Sequence, residues 1–349
     1  SATMMKNLPF KMNPQIRTYL NHAYAFGMVE GVLGSGIIPR LSCESYVNCI
    51  YSQDDANKFY IYTYNDDGWF EKTGMVSREV HVCDDPNLKC VSEALRIAID
   101  RINNGEYVLC CPNEGRLSAH KMDEPYNFDH ECLLWGVDTE RRVFQSSGYV
   151  RILGKYMQYE IGFDELTDAL INVCSGYVEL IFYKVDADFV FAPPNIDNVV
   201  FLLGEYLASD CSELSKREDI KNYIDDGKLK FGITVWDELA DYIGRVDSVD
   251  MRYIRGFADH KYLMHQRVKY LSENGYLRNG EIYTEKAEDI YKRSVNLFYI
   301  LMKCLYQPAD ADMLRGKVIG IVRDINEIER NYLPRVVYEL EHGTPPDVK

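Results

Sequence analysis

His130 is the side chain in this sequence best placed to do chemistry. It stands near the start of FDHECLLWGVD (residues 128–138), which has the pattern of a strand that ends in a polar turn, and a second strand-like run, RVFQSSG (142–148), follows. A histidine at the start of a hairpin strand is fixed by the sheet while one edge of its ring stays open to a substrate, as a general base requires. A buried structural histidine is the alternative, and the motif alone does not decide between them.

The elements that must position His130 alternate between short strands and helices up to about residue 190. Their bounds are predicted from the periodicity of apolar residues and from turn signals such as NDDG and NNG. The predicted helices are His22–Leu33, Leu41–Tyr51, Cys90–Ile102 and Phe163–Asn172. The predicted strands are Lys58–Tyr64, Glu106–Cys111, Lys155–Ile161 and Tyr177–Val185, in addition to the two of the His130 hairpin.

A first helix followed by strands, with a histidine on a later hairpin, is the order of a papain-like layout. That layout places a nucleophilic thiol at the N-terminus of the first helix, where the helix dipole favours the thiolate. A cysteine is therefore expected near residues 21–24, but the sequence there reads Asn21-His22-Ala23-Tyr24.

Three segments resemble a known family. They are NHAYAFGMVEGVLGSG (21–36), the histidine hairpin with His130, Gly136 and Asp138, and YMQYEIGFDELTDAL (156–170). Over residues 15–185 the chain resembles the N-terminal domain family of butirosin biosynthesis protein H, papain-like acyltransferases related to the bacteriocin-leader peptidases. The amide-forming enzyme of closthioamide biosynthesis is similar. The resemblance implies a papain-like fold and acyl transfer through a cysteine.

In this family the nucleophile position falls on Ala23, which has no nucleophilic atom. Two explanations stay open. The cysteine has been replaced by alanine to stop turnover, in line with a start, SATM, that reads as a remnant of cloning. Alternatively, the alanine is native, and the protein is a non-catalytic relative or has its nucleophile elsewhere. Cys43 is then the alternative nucleophile because Ser42-Cys43 could head a helix, although a small buried core residue is the simpler interpretation.

The resemblance also implies which residues orient the histidine and which form the oxyanion hole. A papain-like histidine is oriented by a residue on the strand after the hairpin, where Gln145 and Ser146 could accept a hydrogen bond. The oxyanion hole is expected at the backbone N–H of residue 23, with the side chain of Asn21 or Gln15. Asn21 would equally suit the N-cap of the helix.

Composition narrows the function classes. The 349 residues carry a net charge of −15, which argues against a nucleic-acid binder and against docking on an anionic membrane. We find no apolar run of membrane-spanning length and no signal-peptide core, so we expect a cytoplasmic protein. The 10 cysteines form no CxxC pairs and are expected to be reduced thiols. We expect no metal site, because the Cys and His residues lack zinc-ligand spacing.

Pro193-Pro194 marks the predicted domain boundary, because two consecutive prolines suit neither a helix nor a central strand. The fold class expected is α+β: a papain-like catalytic domain over 1–192 and an all-helical domain over 193–349. Helices of the second domain are predicted at Asp197–Leu207, Thr234–Gly244, Met251–Ser272, Thr284–Tyr306 and Ala311–Leu340.

The function expected is that of an acyltransferase or amide synthase of natural-product biosynthesis. An acyl thioester on the phosphopantetheine arm of an acyl or peptidyl carrier protein would acylate a cysteine at position 23, and a small-molecule amine would then take the acyl group. No other cofactor is expected. Arg141-Arg142 and Lys261–Lys269 are candidate carrier-docking charges. The alternatives are a cysteine peptidase of the same fold and a non-catalytic protein that binds an acyl or peptide ligand.

Overall fold

The computed structural model describes residues 5–54, 59–66, 68–151 and 153–343. It has a mixed α+β fold with antiparallel sheets and a helical C-terminal region, as predicted. The interpretation of Ser1–Met4 as a cloning remnant lies outside these residues. The chain divides into two compact units: unit 1 contains residues 1–36 and 68–190, and unit 2 contains residues 37–67 and 191–349. The predicted assignment of all of 1–192 to one domain is therefore corrected for residues 37–67.

Unit 1 is built around one antiparallel sheet. Its strands follow the order β4-β9-β5-β6-β7-β8, and β1 pairs with β6. The strand bounds are β1 Met5–Asn7, β4 Val76–Cys83, β5 Tyr107–Cys110, β6 Cys132–Asp138, β7 Val143–Val150, β8 Lys155–Gly162 and β9 Val178–Val185. The helices of the unit are α1 Leu20–Leu33, α3 Trp69–Lys72, α4 Leu88–Asn103 and α5 Phe163–Ile171.

Local sequence explains most of these elements. Every residue of β6 is buried, as expected for a central strand with an almost continuous apolar run. The Asn87 side chain caps α4 by accepting a hydrogen bond from the Cys90 amide at 2.9 Å. Strand β4 was not predicted, because the polar run Ser77-Arg78-Glu79 interrupts the apolar residues of its sequence, VSREVHVC, and the strand is exposed along most of its length.

Close packing fixes α1 against the N-terminal segment. A Cβ atom on Gly31 would lie 2.6 Å from the Pro9 carbonyl oxygen, and one on Gly27 would lie 2.4 Å from the Phe10 ring. Glycine at both positions therefore lets residues 9–10 lie directly on the helix. The helix ends at Gly34, whose positive φ of 84° suits a glycine.

Unit 2 is mainly helical and contains a small antiparallel sheet in the order β10-β2-β3. The strand bounds are β2 Cys49–Gln53, β3 Phe59–Thr63 and β10 Leu229–Phe231. The helix bounds are α2 Ile38–Leu41, α6 Ile196–Ala208, α7 Ser212–Ser215, α8 Lys221–Asp225, α9 Thr234–Arg245, α10 Met251–Glu273, α11 Gly280–Tyr306 and α12 Ala311–His342. The five long helices predicted after residue 193 are confirmed, with ends that differ by a few residues.

The predicted helix Leu41–Tyr51 is wrong. The helix α2 ends at Leu41, and residues from Cys49 onwards form β2, in which Ile50 pairs with Tyr62 and Tyr51 with Ile61. The apolar spacing suited a helix, but β-branched and aromatic partners on a second strand favour the sheet. On its other side β2 pairs with β10, where Ile50 lies opposite Phe231, and this pairing joins residues 37–67 to the rest of unit 2.

A disulfide bond joins Cys83 at the end of β4 to Cys90 in the first turn of α4. The prediction that all ten cysteines are free thiols is therefore wrong. The two residues are seven positions apart, a spacing that matches no short motif, and they meet because α4 begins next to the end of β4.

Candidate active site

The centre of the candidate site is a contact between two side chains of unit 1. The Nδ1 atom of His130 lies 3.0 Å from the Oε2 atom of Glu114. Glu114 begins a single 3₁₀ turn, Glu114–Arg116, and His130 stands two residues before β6. His130 is thus not on the strand itself, where the sequence placed it.

Backbone hydrogen bonds fasten the two segments to each other. The Glu114 amide donates to the Phe128 carbonyl at 2.8 Å, and the His130 amide donates to the Pro112 carbonyl at 3.1 Å. An isolated β-bridge joins Asn113 to Asp129 between these bonds. The geometry of the histidine–glutamate pair is therefore set by the backbone as well as by the side chains.

The charge on Glu114 determines which nitrogen of His130 is basic. Burial alone would raise the Glu114 pKa, but hydrogen bonds from His130 and Arg151 hold it below the ordinary value. An ionised carboxylate only accepts hydrogen bonds, so Nδ1 of His130 donates to Glu114, and in the neutral imidazole Nε2 therefore has the lone pair. The His130 side chain is 40% exposed and that of Glu114 is 5% exposed. This arrangement is that of an oriented general base.

Arg151 is the second side chain that donates a hydrogen bond to Glu114. Its Nε atom donates to Oε1 of Glu114 at 2.8 Å, and its guanidinium group lies 4.8 Å from the centre of the Tyr126 ring. The aromatic face and the carboxylate together fix the guanidinium. Glu114 is thereby held from two sides, one oxygen by Arg151 and the other by His130.

A second histidine lies behind Glu114. The Nδ1 atom of His120 is 4.0 Å from Oε2 of Glu114, and its Nε2 atom is 3.3 Å from the Tyr159 hydroxyl group. Burial lowers the pKa of His120. The imidazole of His120 is 6% exposed and therefore less accessible to a substrate than that of His130.

The N-terminal part of α1 contacts the segment that carries His130 through Tyr24. The Tyr24 hydroxyl group donates to the Ser147 carbonyl at 2.9 Å and lies 3.4 Å from the carbonyl oxygen of Glu131. Ala23 precedes Tyr24 in the chain, and His130 precedes Glu131. Ala23 itself is fully buried. The structure therefore joins the neighbour of the expected nucleophile position to the neighbour of the histidine.

The predicted orienting residues make other contacts. Gln145 accepts a hydrogen bond from the Gln158 amide at 2.9 Å, and the Ser146 hydroxyl group donates to the Leu133 carbonyl at 2.7 Å. The partner of His130 is Glu114, so the expectation that Gln145 or Ser146 orients the imidazole is corrected. Glu114 was missed because it precedes the histidine by sixteen positions in a loop, where no periodic pattern marks it.

The oxyanion hole predicted at residue 23 is also corrected. The Ala23 amide donates to the Tyr19 carbonyl at 2.9 Å, within the first turn of α1. The helix begins at Leu20 with Tyr19 as its N-cap, so Asn21 is not the cap. The amides of Leu20 and Asn21 fall in the first turn, where no intrahelical acceptor exists. The side chains of Asn21 and Gln15 are exposed.

Cys43 does not fit the role of an alternative nucleophile. It is fully buried in the core of unit 2, follows α2 instead of heading a helix, and has a pKa raised to about 12 by burial. The exposed Cys111 has a pKa raised to about 11 by burial and by Asp129. Hydrogen bonds from Cys110 and others lower the pKa of Cys132, but this thiol is buried.

Among the described residues, no group of three or more His, Cys, Asp or Glu side chains is arranged to hold a metal ion. Within the same part of the chain, each helix is too short or too polar to cross a membrane. A scan against protein-family models finds no match, and a search of curated proteins finds no significant similarity. The resemblance to the acyltransferase family thus rests on the motifs quoted from the sequence.

Proposed function

We propose that unit 1 is a papain-like acyltransferase domain in which His130 and Glu114 form the general-base pair. The observation that carries the proposal is the contact between Nδ1 of His130 and the buried, ionised Glu114, which leaves Nε2 basic and partly exposed. The contact of Tyr24 with the Glu131 carbonyl supports a location for position 23 near this pair.

The proposed reaction has two steps. Nε2 of His130 takes the proton of a thiol at position 23, the thiolate attacks the thioester carbonyl, and the carrier's phosphopantetheine thiol leaves with a proton returned by the imidazolium. An amine then attacks the acyl-enzyme while His130 takes the amine proton, and the position-23 thiol leaves protonated. The products are an amide and the free thiol.

Ala23 removes the covalent step from the chain as it stands, because a methyl group cannot attack a carbonyl. With alanine at this position we expect the chain to bind the acyl donor without capturing it. The amides in the first turn of α1, with the side chain of Asn21, are the proposed oxyanion donors in place of the residue-23 amide.

Carrier docking needs positive charge, because the net charge of the chain is −15 and carrier proteins are typically acidic. The structure removes part of one candidate patch: Lys261 and Arg267 are fully buried. Arg141 and Arg142 are exposed, but Glu160 and Asp164 pair with them. Of the candidates from the sequence, the Arg141-Arg142 pair is the proposed contact for the carrier's acidic helix.

Restoring the thiol tests the proposal. Ala23→Cys is incubated with an acyl-pantetheine thioester, and intact-mass spectrometry follows the acyl adduct. We expect acylation of residue 23, and we expect that adding His130→Ala to this variant slows it by about 100-fold or more, the usual contribution of a general base. Ala25→Cys, two positions further along α1, is the matched thiol control.

The outcomes separate the alternatives. An adduct that passes to an added amine supports acyl transfer, whereas an adduct lost only to water, together with cleavage of test peptides, supports the peptidase. If Ala23→Cys reacts no faster than Ala25→Cys, or if His130→Ala leaves the rate unchanged, the acyltransferase proposal fails.

A second candidate function is non-catalytic binding of an acyl or peptide ligand. Ala23 itself favours it, as does the raised pKa of the exposed thiols Cys111 and Cys174. Binding of the acyl-pantetheine thioester by the Ala23 chain, with no adduct formed on Ala23→Cys, would support this function.

A further inference from the structure

Strand β4 is an open edge of the sheet in unit 1. It stands at one end of the order β4-β9-β5-β6-β7-β8, and in the described residues β9 is its only strand partner. Its eight residues span about 26 Å. The outer side of such a strand presents unpaired amide and carbonyl groups, a ready template for another strand.

The side chains of β4 favour pairing. Arg78, Val80 and Val82 alternate onto one face, and the two valines are 42% and 48% exposed. Glu79 and His81 occupy the other face. Strand β4 contains neither proline nor lysine, residues that commonly protect exposed edges. At the opposite edge, β8 begins with Lys155 and carries Glu160, which pairs with Arg141.

The hydrogen-bonding side chains of β4 are complementary when two copies of the strand pair. If two copies of β4 pair antiparallel with Val80 opposite Val80, then Glu79 of each copy lies opposite His81 of the other. The two-fold symmetry produces this pair twice, on the face away from the valines. The Oε2 atom of Glu79 already forms an ion pair with Nη2 of Arg101 at 2.7 Å. The Glu79 side chain nevertheless remains 63% exposed and can accept a further hydrogen bond. In this register, Val82 of each copy also lies opposite Arg78 of the other copy and can pack against its aliphatic stem.

We propose that a second copy of this chain pairs along β4, so that the sheets of two unit 1 domains join into one across a two-fold axis at Val80. Edge-to-edge main-chain hydrogen bonds supply the contact, and the reciprocal Glu79–His81 pairs fix its register. This inference is independent of the proposed acyl transfer, because it uses none of the residues of the candidate active site.

Sedimentation velocity of the full chain from about 1 to 200 µM tests the proposal. We expect a monomer–dimer equilibrium whose dissociation constant rises about tenfold or more in Val80→Lys, because two ammonium groups would meet at the axis. Met157→Lys, a partly exposed apolar residue on the other edge strand, is the control and should leave the equilibrium unchanged.

Cross-linking tests the register. In Val80→Cys the two new Cβ atoms are expected about 5 Å apart, close enough for an intermolecular disulfide after modest adjustment. In Val82→Cys they would be four positions out of register, about 13 Å apart. Oxidation by a disulfide reagent, with peptide mapping, should link residue 80 to residue 80 and leave residue 82 unlinked. A chain that stays monomeric throughout, or a dimer that Val80→Lys leaves intact, would overturn the proposal.

Discussion

Each unit contains a glutamate held by a cation next to a histidine, and the two clusters differ in exposure. In unit 1 the surface cluster consists of Glu114, His130 and Arg151, and the side chains of His130 and Arg151 are 40% and 42% exposed. In unit 2 the buried cluster consists of Glu329, Lys261, His260 and Tyr206, all fully buried. Water and substrate can reach the first cluster, but neither can reach the second.

In the buried cluster, both ring nitrogens of the histidine have hydrogen-bond partners. Lys261 donates to Glu329 at 2.6 Å and lies 3.3 Å from Nδ1 of His260, whose Nε2 atom bonds the Val47 carbonyl at 2.9 Å. The His260 ring therefore has no lone pair to offer. His130 keeps Nε2 open. Similar residue types thus form a structural network in one unit and a candidate catalytic pair in the other.

The largest expected effect is on the buried cluster. Lys261→Met should lower the free energy of unfolding by about 3–5 kcal/mol, because it leaves the Glu329 carboxylate buried without a cation. The double variant Lys261→Met with Glu329→Leu should recover much of this loss. Urea unfolding gives both values, and a single variant within 1 kcal/mol of the unchanged chain would contradict the structural assignment.

The next effect is on the surface cluster and is measured as activity. In the Ala23→Cys background, Glu114→Gln should reduce the rate of acylation by about 100-fold, because an amide facing Nδ1 no longer fixes the tautomer with a basic Nε2. Gln145→Ala is the control and should stay close to the rate of the parent. If Gln145→Ala slowed acylation more than Glu114→Gln does, Gln145, which the sequence favoured, would be the orienting group instead of Glu114.

Acid stability extends the comparison to the buried imidazoles. Burial lowers the pKa of His22 from 6.5 to about 4, so the unfolded chain binds its proton first as the pH falls through this window. Stability is fully present above pH 6.5 and should be lower by about 2 kcal/mol at about pH 5 from this group alone. Urea titrations at both pH values should show a smaller loss in His22→Phe than in Tyr19→Phe; equal losses would contradict the prediction.

The smallest effect on stability is expected for replacement of Arg151, the partly exposed cation of the surface cluster. Arg151→Gln should cost less than about 1 kcal/mol of stability, because solvent screens its ion pair with Glu114. Since Arg151 helps to lower the Glu114 pKa, Arg151→Gln in the Ala23→Cys background should lose acylation activity at a higher pH on acidification than Ala23→Cys alone does. If Arg151→Gln were as destabilising as Lys261→Met, the contrast between the clusters would fail.

Secondary structure was predicted correctly where the residues of a single segment carry the helical periodicity or the flanking turn signals that define it. The helices α4, α5 and α9–α12 carry apolar residues at helical spacing, and β5, β8 and β9 lie between turn signals. It failed where a partner distant in the sequence decides the outcome. Residues 49–53 are a strand because β3 and β10 flank them, and β4 is held by β9 although the polar run Ser77-Arg78-Glu79 interrupts its apolar residues.

The same limit applies to the candidate site. The sequence identified His130 by its position before an apolar strand, but not Glu114, which lies in a loop without periodicity. It also treated Lys261–Lys269 as surface charge, whereas packing within unit 2 buries Lys261 and Arg267. Arg267 donates to the carbonyl groups of Ser42 and Ser45, more than two hundred positions away.

The amino-acid sequence by itself determined the acidity of the chain, the type of its periodic segments and the histidine around which chemistry could be organised. Only the tertiary structure decided which carboxylate meets that histidine, which unit residues 37–67 join and which charged side chains leave water. The physical reason is that periodicity reports the surroundings of one segment, whereas ion pairs, strand partners and desolvation depend on residues that folding brings together from distant parts of the chain.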